Sequence, residues 1–308
     1  MSPRIVSVFG ATGLQGSAVV RALLKDGTFT PRAITRDTQS EASKKLEAQG
    51  VEVVKADSLD KASLERALRG SEAVALQVTV PLLPLKADGE GPNELVQGKN
   101  MVDAAKEVGV KFFIWTGMPS ISKISNGKYT NCLHYDQKAE VEEYLKFSGL
   151  QNATIYLGAF LENYWKFGQL KKTDSGFDVA IPQYKVGDRE AFTWAERDLP
   201  AAALALLKNY TDPSKKISGK SYPVVNACIP YSELAERTGR ALGVEVTFTT
   251  APPTGRAAMD EMFTAHAEYS GLYTATPVPN PDLVALGVKF GTVEEWLEAE
   301  VKPRFGQK

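Results

Sequence analysis

Two stretches of the chain carry residue types whose spacing could do chemistry. In "VFGATGLQGSAVVRALL" (8–24), Gly10, Gly13 and Gly16 stand three apart, after an apolar run and before a helix-like one. Gly10 would permit a tight turn, Gly13 a close backbone approach to a pyrophosphate, and Gly16 close packing of helix on strand. The helix opening there offers free N–H groups and the positive end of its dipole to phosphates. A strand, this turn and a helix in the first βα unit point to a dinucleotide; a glycine-rich turn without a ligand is the alternative. The second stretch is "HYDQKAEVEEYL" (134–145), where His134, Lys138, Val141 and Leu145 share one helical stripe and Glu140, Glu143 and Lys146 face elsewhere. An ammonium on an inward stripe is costly unless it meets a partner, and ribose hydroxyls with a substrate oxygen would be such partners. A Lys at the stripe's edge reaching out to water is the plainer reading. His134 could be a second proton donor, since an imidazole ordinarily titrates near neutrality, or could only shape the pocket.

About twenty residues after such a glycine turn, at the end of the second strand, an acidic side chain would select the ribose 2′-hydroxyl of NAD. The chain reads "AITRDTQS" (33–40) there, with Arg36 twenty positions after Gly16. A guanidinium can pair with a 2′-phosphate and stack on adenine, which favours NADP(H). Asp37, one residue later, could accept a ribose hydroxyl instead.

These residues need a framework, and the patterning supplies one. Strand-like runs at 4–10, 30–36, 51–56, 72–80, 111–117, 153–157 and 220–226 alternate with helical patterns near 14–25, 40–49, 61–69, 94–108, 134–148 and 197–208. Several helices end at a glycine (Gly50, Gly70, Gly109, Gly149), the residue that tolerates a left-handed cap. The strands are continuous apolar runs, as expected when helices cover both faces, so the fold class is α/β with a doubly wound parallel sheet. We expect a dinucleotide-binding domain over 1–157 and a mainly C-terminal substrate or lid region over 158–308, with some segments returning to the sheet. The loops 81–93 and 118–132 are long enough to be lids or mobile surface. With 308 residues, 43% hydrophobic and 24% charged, the chain can bury a sizeable core. Its 36 basic and 37 acidic residues leave a net charge of −1, which gives no reason to expect nucleic acid or an anionic membrane as partner. The first residues, "MSPRIVSV", are too short for a signal-peptide core, and no apolar run approaches the ~18 residues that span a bilayer. Two cysteines, Cys132 and Cys228, suit a reducing compartment, so a cytoplasmic location is expected. No His/Cys/Asp spacing suggests a metal site.

The spelling Gly10-Ala11-Thr12-Gly13-Leu14-Gln15-Gly16, rather than G-x-G-x-x-G, resembles the atypical short-chain dehydrogenase/reductases. Together with "RAITRD" (32–37), "VEVVKADSLDKASLERALRGSEAV" (51–74), "HYDQKAEVEEYLKFSGL" (134–150) and "ATIYLGAFLENY" (153–164), it makes the chain similar to the NmrA-like family, in particular its fungal and NADPH-sensor types. The likeness covers nearly the whole chain and is loosest in the C-terminal tail. It implies a Rossmann-type fold with a smaller C-terminal α/β region covering a cleft. It also implies NADP(H) contacts from Gly10, Thr12, Gly13, Leu14, Gln15, Gly16, Arg36, Asp57, Gln77, Lys138 and Phe160. Typical short-chain dehydrogenases use Tyr-x-x-x-Lys on one helix, the Lys lowering the Tyr pKa and holding the nicotinamide ribose. Here the position four before Lys138 is His134, and Tyr135 is one residue, about 100°, out of step. In isoflavone-reductase-like relatives a lysine at this position serves as general base without Tyr, so the departure does not exclude catalysis. The catalytic candidates are therefore Lys138, His134, Tyr135 and Thr116, the last where the usual serine would orient a substrate carbonyl or where it only caps a loop.

Beyond strand six, Phe160, Tyr164, Trp165 and Phe167 could wall a bulky apolar substrate or simply be core. A tail helix near 254–271, with Met259, Met262, Phe263, His266 and Tyr269 on one face, would pack on the core or form a lid. Cys132 is expected to be an unreactive small residue rather than a redox thiol. Two functions stay open. One is an NADPH-dependent enzyme acting on a bulky organic small molecule, by carbonyl, imine or alkene reduction or a cofactor-assisted cyclisation, in fungal specialised metabolism. The other is a non-catalytic sensor of NADPH/NADP⁺ that regulates a protein partner such as a transcription factor.

Overall fold

The computed structural model describes residues 3–76, 94–273 and 275–306. The chain divides into two compact units, the first built from the described residues up to Ser120 with 134–156 and 199–222, the second from 121–133, 157–198 and 223 onward.

The first unit alternates strands and helices: β1 (Ile5–Phe9), α1 (Leu14–Asp26), β2 (Thr30–Thr35), α2 (Glu41–Ala48), β3 (Glu52–Lys55), α3 (Lys61–Leu68) and β4 (Ser71–Leu76). After an interval outside the described residues, which includes Gln77 and the loop 81–93, come α4 (Glu94–Glu107) and β5 (Phe112–Gly117). Farther along lie α6 (Leu133–Phe147) and β6 (Gln151–Leu157), then α8 (Asp198–Asn209) and β11 (Lys220–Val224). The element ends fall where side chains cap them: Ser40 accepts the Ser43 N–H at 3.2 Å to start α2, and Asp60 accepts the Ser63 N–H at 3.1 Å to start α3. The glycines expected at helix ends, Gly50, Gly70, Gly109 and Gly149, all have positive φ, between 76° and 86°. One seven-stranded sheet results, in the order β3-β2-β1-β4-β5-β6-β11, and β1 through β6 pair in parallel. Apolar strand residues such as Val6, Val8, Ala33, Ile34, Phe112 and Phe113 are buried, as sheet faces covered by helices require. The connection reverses between β1 and β4, which makes the carboxyl edge there the place for a ligand.

The second unit holds α5 (Ile121–Ile124), β7 (Ala159–Phe160), α7 (Asn163–Lys166), β8 (Leu170–Lys172), β9 (Gly176–Pro182) and β10 (Arg189–Thr193). It continues with β12 (Ala227–Pro230), α9 (Tyr231–Leu242), β13 (Glu245–Ala251) and α10 (Ala257–Glu268). Its strands form two three-stranded sheets, β12-β10-β7 and β13-β9-β8. In the aromatic stretch after β6, Tyr164 and Trp165 pack into the core. Tyr164 stands edge-on to Trp296 with centroids 5.2 Å apart, and Trp165 stacks on the same ring at 6.0 Å. Phe167 is 68% exposed, and only Phe160 of that group lies on a strand. The loop 118–132 contains α5 and is clamped to α10: Tyr129 Oη donates to Glu268 at 2.6 Å, the Asn131 N–H to Glu261 at 2.6 Å, and Cys132 Sγ to the Ala258 carbonyl at 3.3 Å. Those bonds account for Cys132, whose buried thiol is a packing group. The tail helix is shorter than its apolar pattern. Asp260 draws the Thr254 and Gly255 N–H groups into a turn before it, and a left-handed glycine, Gly271 (φ 74°), lies just beyond its end. Phe263 packs on the second core, and His266 Nδ1 lies 3.0 Å from buried Glu190.

Packing is tight in the first βα turn. A Cβ on Gly16 would fall 2.3 Å from the Gly10 carbonyl oxygen and 2.9 Å from the Ala11 Cα, both backbone atoms, whereas a Cβ on Gly13 would meet only that oxygen at 3.4 Å. Gly16→Ala is therefore expected to lower unfolding free energy by about 1–3 kcal/mol, as overpacking does, while Gly13→Ala stays within about 0.5 kcal/mol of wild type. Thermal unfolding of the two variants side by side checks this; equal shifts would contradict it.

Candidate functional site

At the end of β1 the chain turns at Gly10 (φ 60°), and the Gly13 N–H donates back to the Gly10 carbonyl at 2.9 Å. Helix α1 starts at once, with Gly13 as its N-cap residue, no side chain capping it and no acidic residue in its first turn. Its leading N–H groups are left for an outside acceptor, an arrangement suited to an anion. Thr12 and Gly13 are exposed, Leu14 is half-buried, and Gln15 and Gly16 are buried. The Gln15 Oε1 atom is buried with no hydrogen-bond partner among the described residues, and it faces a small cavity shared with Gly16, Ile114, Thr116, Leu199 and Ala203. An orphaned amide oxygen beside an uncapped helix start fits a ligand bearing phosphate and hydrogen-bond donors.

Other expected residues stand along the same edge. Arg36 directly follows β2; it is exposed, and its guanidinium has no partner among the described residues. Asp37 is committed to its own turn: its Oδ1 accepts the Gln39 N–H at 2.9 Å, and its carbonyl accepts the Ser43 hydroxyl at 2.6 Å. Asp57 follows β3 and accepts the Leu59 N–H at 2.9 Å, so one carboxylate oxygen closes a turn and the side chain stays exposed. Thr116 lies inside β5 rather than after it, and it is half-buried. Across the sheet, the order is thus Asp57, Arg36, the glycine turn and Thr116, an extended row at the carboxyl ends of β3, β2, β1 and β5. Gln77 lies outside the described residues, and Phe160 belongs to the second unit.

Helix α6 supplies the titratable side chains. Val141 and Leu145 are fully buried, and the Lys138 side chain on the same stripe keeps only 15% of its surface exposed. The Trp115 indole, next to Thr116 on β5, donates to the Lys138 carbonyl at 3.1 Å and fixes that turn. Burial pushes the Lys138 ammonium down to about 7. Its partner is Glu94, the first residue of α4, whose carboxylate is 1% exposed and bonds the Lys138 Nζ directly. His134 is half-buried one turn earlier, and its ring meets Tyr135 edge-on with centroids 4.8 Å apart. Tyr135 itself is buried at 4% exposure, off the Lys138 stripe. The glycine spacing and the helical stripe had no means of exposing Glu94, because the pairing joins residues 44 apart in sequence.

The NmrA-like family model matches residues 2–297, nearly the whole chain. The chain belongs to the NmrA-like family. An NmrA-like family domain-containing protein of Dictyostelium discoideum is 27% identical over 259 residues, 82% of either chain. The NmrA-like family domain-containing oxidoreductase notA of an Aspergillus species is 38% identical over 165 residues, 51% of this chain and 48% of that protein. The match thus spans about half the length of such fungal oxidoreductases. Among solved structures, NmrA, a negative transcriptional regulator crystallised with NAD, superposes with a TM-score of 0.80 at 18% identity over 99% of this chain and 97% of that one. The NADPH-dependent quinone oxidoreductase QOR2 of Escherichia coli, complexed with NADPH, gives 0.69 at 23% identity over 95% and 98%. At such identities the likeness establishes the NmrA-like, Rossmann-type α/β fold.

Replacing Lys138 by Met would leave the Glu94 carboxylate buried without its cation, raising its folded-state pKa above its unfolded one. Stability should then be lost as pH rises from the ordinary carboxylate range through that raised value. K138M is expected to be about 3–5 kcal/mol less stable than wild type at pH 8, with the gap narrowing toward pH 5. Denaturant unfolding at both pH values measures it; a gap that is constant or wider at pH 5 would contradict the pairing.

Proposed function

We propose that this NmrA-like protein is an NADP(H)-dependent oxidoreductase acting on a bulky organic small molecule, by reduction of a carbonyl, imine or alkene. The observation that carries the reading is Lys138: a buried ammonium whose pKa is drawn down toward neutrality, on the helix beside the carboxyl edge of β5. The uncapped start of α1 and the buried Gln15 Oε1, without a partner among the described residues, support a dinucleotide. Arg36, without a partner among the described residues and beside an Asp37 already engaged by its own turn, supports the 2′-phosphorylated form. Thr12, Gly13 and Leu14 would meet the phosphates from the turn, and Asp57 would lie toward the adenine end. The dinucleotide, when bound, supplies or accepts a hydride. Lys138 holds the nicotinamide ribose and, through its Nζ, delivers or removes the proton that accompanies it. Thr116 orients the substrate oxygen, and His134 or Tyr135 closes the proton path. Phe160 and the remainder of 158–308 would serve the substrate side. Fungal relatives that carry the name oxidoreductase support an enzyme. A role in specialised metabolism and a cytoplasmic location go with that reading; among the described residues no helix is long and apolar enough to cross a membrane.

One observation favours a second reading, an NADPH/NADP⁺ sensor acting on a protein partner: His134 occupies the position where the proton-donating Tyr of typical relatives stands. The experiment is a turnover screen of quinones, enones, cyclic imines and aldehydes with NADPH. Turnover that falls at least about 100-fold in kcat for Lys138→Ala supports the enzyme. No turnover on any class, together with different affinities for NADPH and NADP⁺, would favour the sensor. Arg36→Ala should weaken NADPH by about 10–100-fold while leaving NADH within about 3-fold, the loss expected for one charge-assisted phosphate pair. Equal losses for the two dinucleotides would remove Arg36 from the 2′-phosphate site.

A further inference from the structure

We propose that Glu94 is a positioning residue for Lys138: it fixes where the ammonium stands and keeps it charged. This rests on the reading of Lys138 as the working group of the site. The geometry begins with helix packing. A Cβ on Gly98 would lie 2.4 Å from Val141 Cγ2, so α4 and α6 approach closely, one turn beyond Glu94 and Lys138 respectively. The Glu94 N–H donates to Gln137 Oε1 at 3.0 Å, tying the first turn of α4 to the residue next to Lys138. With both backbones pinned, the Glu94 carboxylate has one place to go. One oxygen bonds the Lys138 Nζ, and the other is buried with no partner among the described residues. A carboxylate that deep, with half its acceptor capacity unused, is held ionised chiefly by the lysine and by the N-terminal dipole of α4. The dependence is reciprocal. Without Glu94 the buried ammonium would lose the charge that offsets its desolvation.

The lysine ammonium carries N–H donors, one of which bonds the Glu94 carboxylate. Glu94 thereby orients the Nζ and sets how readily it releases its proton. From α4 the Glu94 carboxylate bonds that nitrogen; on α6 itself His134 stands one turn earlier, and from β5 the uncharged Trp115 indole holds the Lys138 backbone carbonyl.

The test reads Lys138 directly, without a cofactor. Wild type, Glu94→Gln and Glu94→Asp are acetylated briefly with acetic anhydride across pH 6–10, and the rate at Lys138 is followed by peptide mass spectrometry. Gln preserves shape and hydrogen bonding but not charge, so a merely structural role for Glu94 leaves the Lys138 profile unmoved. The expected result is a labelling midpoint at least about one pH unit lower in E94Q, with E94D between the two. An unchanged midpoint in E94Q, or in E94D should E94Q not fold, overturns the proposal. NADPH titration of Lys138→Ala is run alongside: unchanged affinity there would refute Lys138 as a cofactor contact, while the labelling result still decides the role of Glu94.

Discussion

The first βα turn depends on a contact with no room in it. Helix α1 comes so near the end of β1 that a single methyl on Gly16 would strike the Gly10 carbonyl. That approach sets α1 over the carboxyl end of β1, at the point where the chain reverses direction across the sheet. Because the N-cap is a glycine and the first turn carries no acid, the helix start is left with donors and a positive dipole end. Arg36, Asp57 and Thr116 then fall on the same edge simply because their strands run parallel to β1. One steric constraint therefore aligns the whole row of candidate cofactor residues.

Buried acids differ in how completely they are satisfied. In the second unit Glu162 and Glu190 are satisfied from within, whereas Asp198 accepts the Gly291 N–H through Oδ1 and its Oδ2 is buried with no partner among the described residues. Glu162 accepts the Ala195 and Glu196 N–H groups, at 3.2 and 2.8 Å. Glu190 accepts the Ala191 N–H at 2.7 Å, bonds the Tyr184 hydroxyl and pairs with His266. His266 is thus a strut between α10 and β10, which gives the tail helix a structural reason for its histidine. The Lys138–Glu94 pair joins a buried acid to a buried base: one Glu94 oxygen has no partner among the described residues, and burial draws the lysine down to about 7.

Local rules made most of the framework legible. Strand and helix positions in the first unit follow apolar runs and caps, and their ends differ from the sequence reading by a residue or two, apart from the run 72–80, which continues beyond the described residues. The glycine turn, the Arg36 position and the inward stripe of Lys138 could be read because each lies within one or two adjacent elements. What escaped was long-range. Glu94 meets Lys138 only because α4 and α6 pack at Gly98 and Val141, and no spacing rule predicts that. Tyr164 and Trp165 stay open between pocket wall and core in the sequence, because aromatic residues after a strand read alike in both; Trp296, 132 positions from Tyr164, shows which. The clamp between loop 118–132 and α10 is of the same kind, joining residues 126 to 140 positions apart.

The central claim is that the edge beginning at Gly10 binds a 2′-phosphorylated dinucleotide. Calorimetric titration of the unmodified protein with NADPH, NADP⁺, NADH and NAD⁺ tests it most directly. The account predicts saturable one-to-one binding, with each phosphorylated form at least about ten-fold tighter than its counterpart, about 1.4 kcal/mol. Binding of none of the four, or equal affinity for NADPH and NADH, would contradict it.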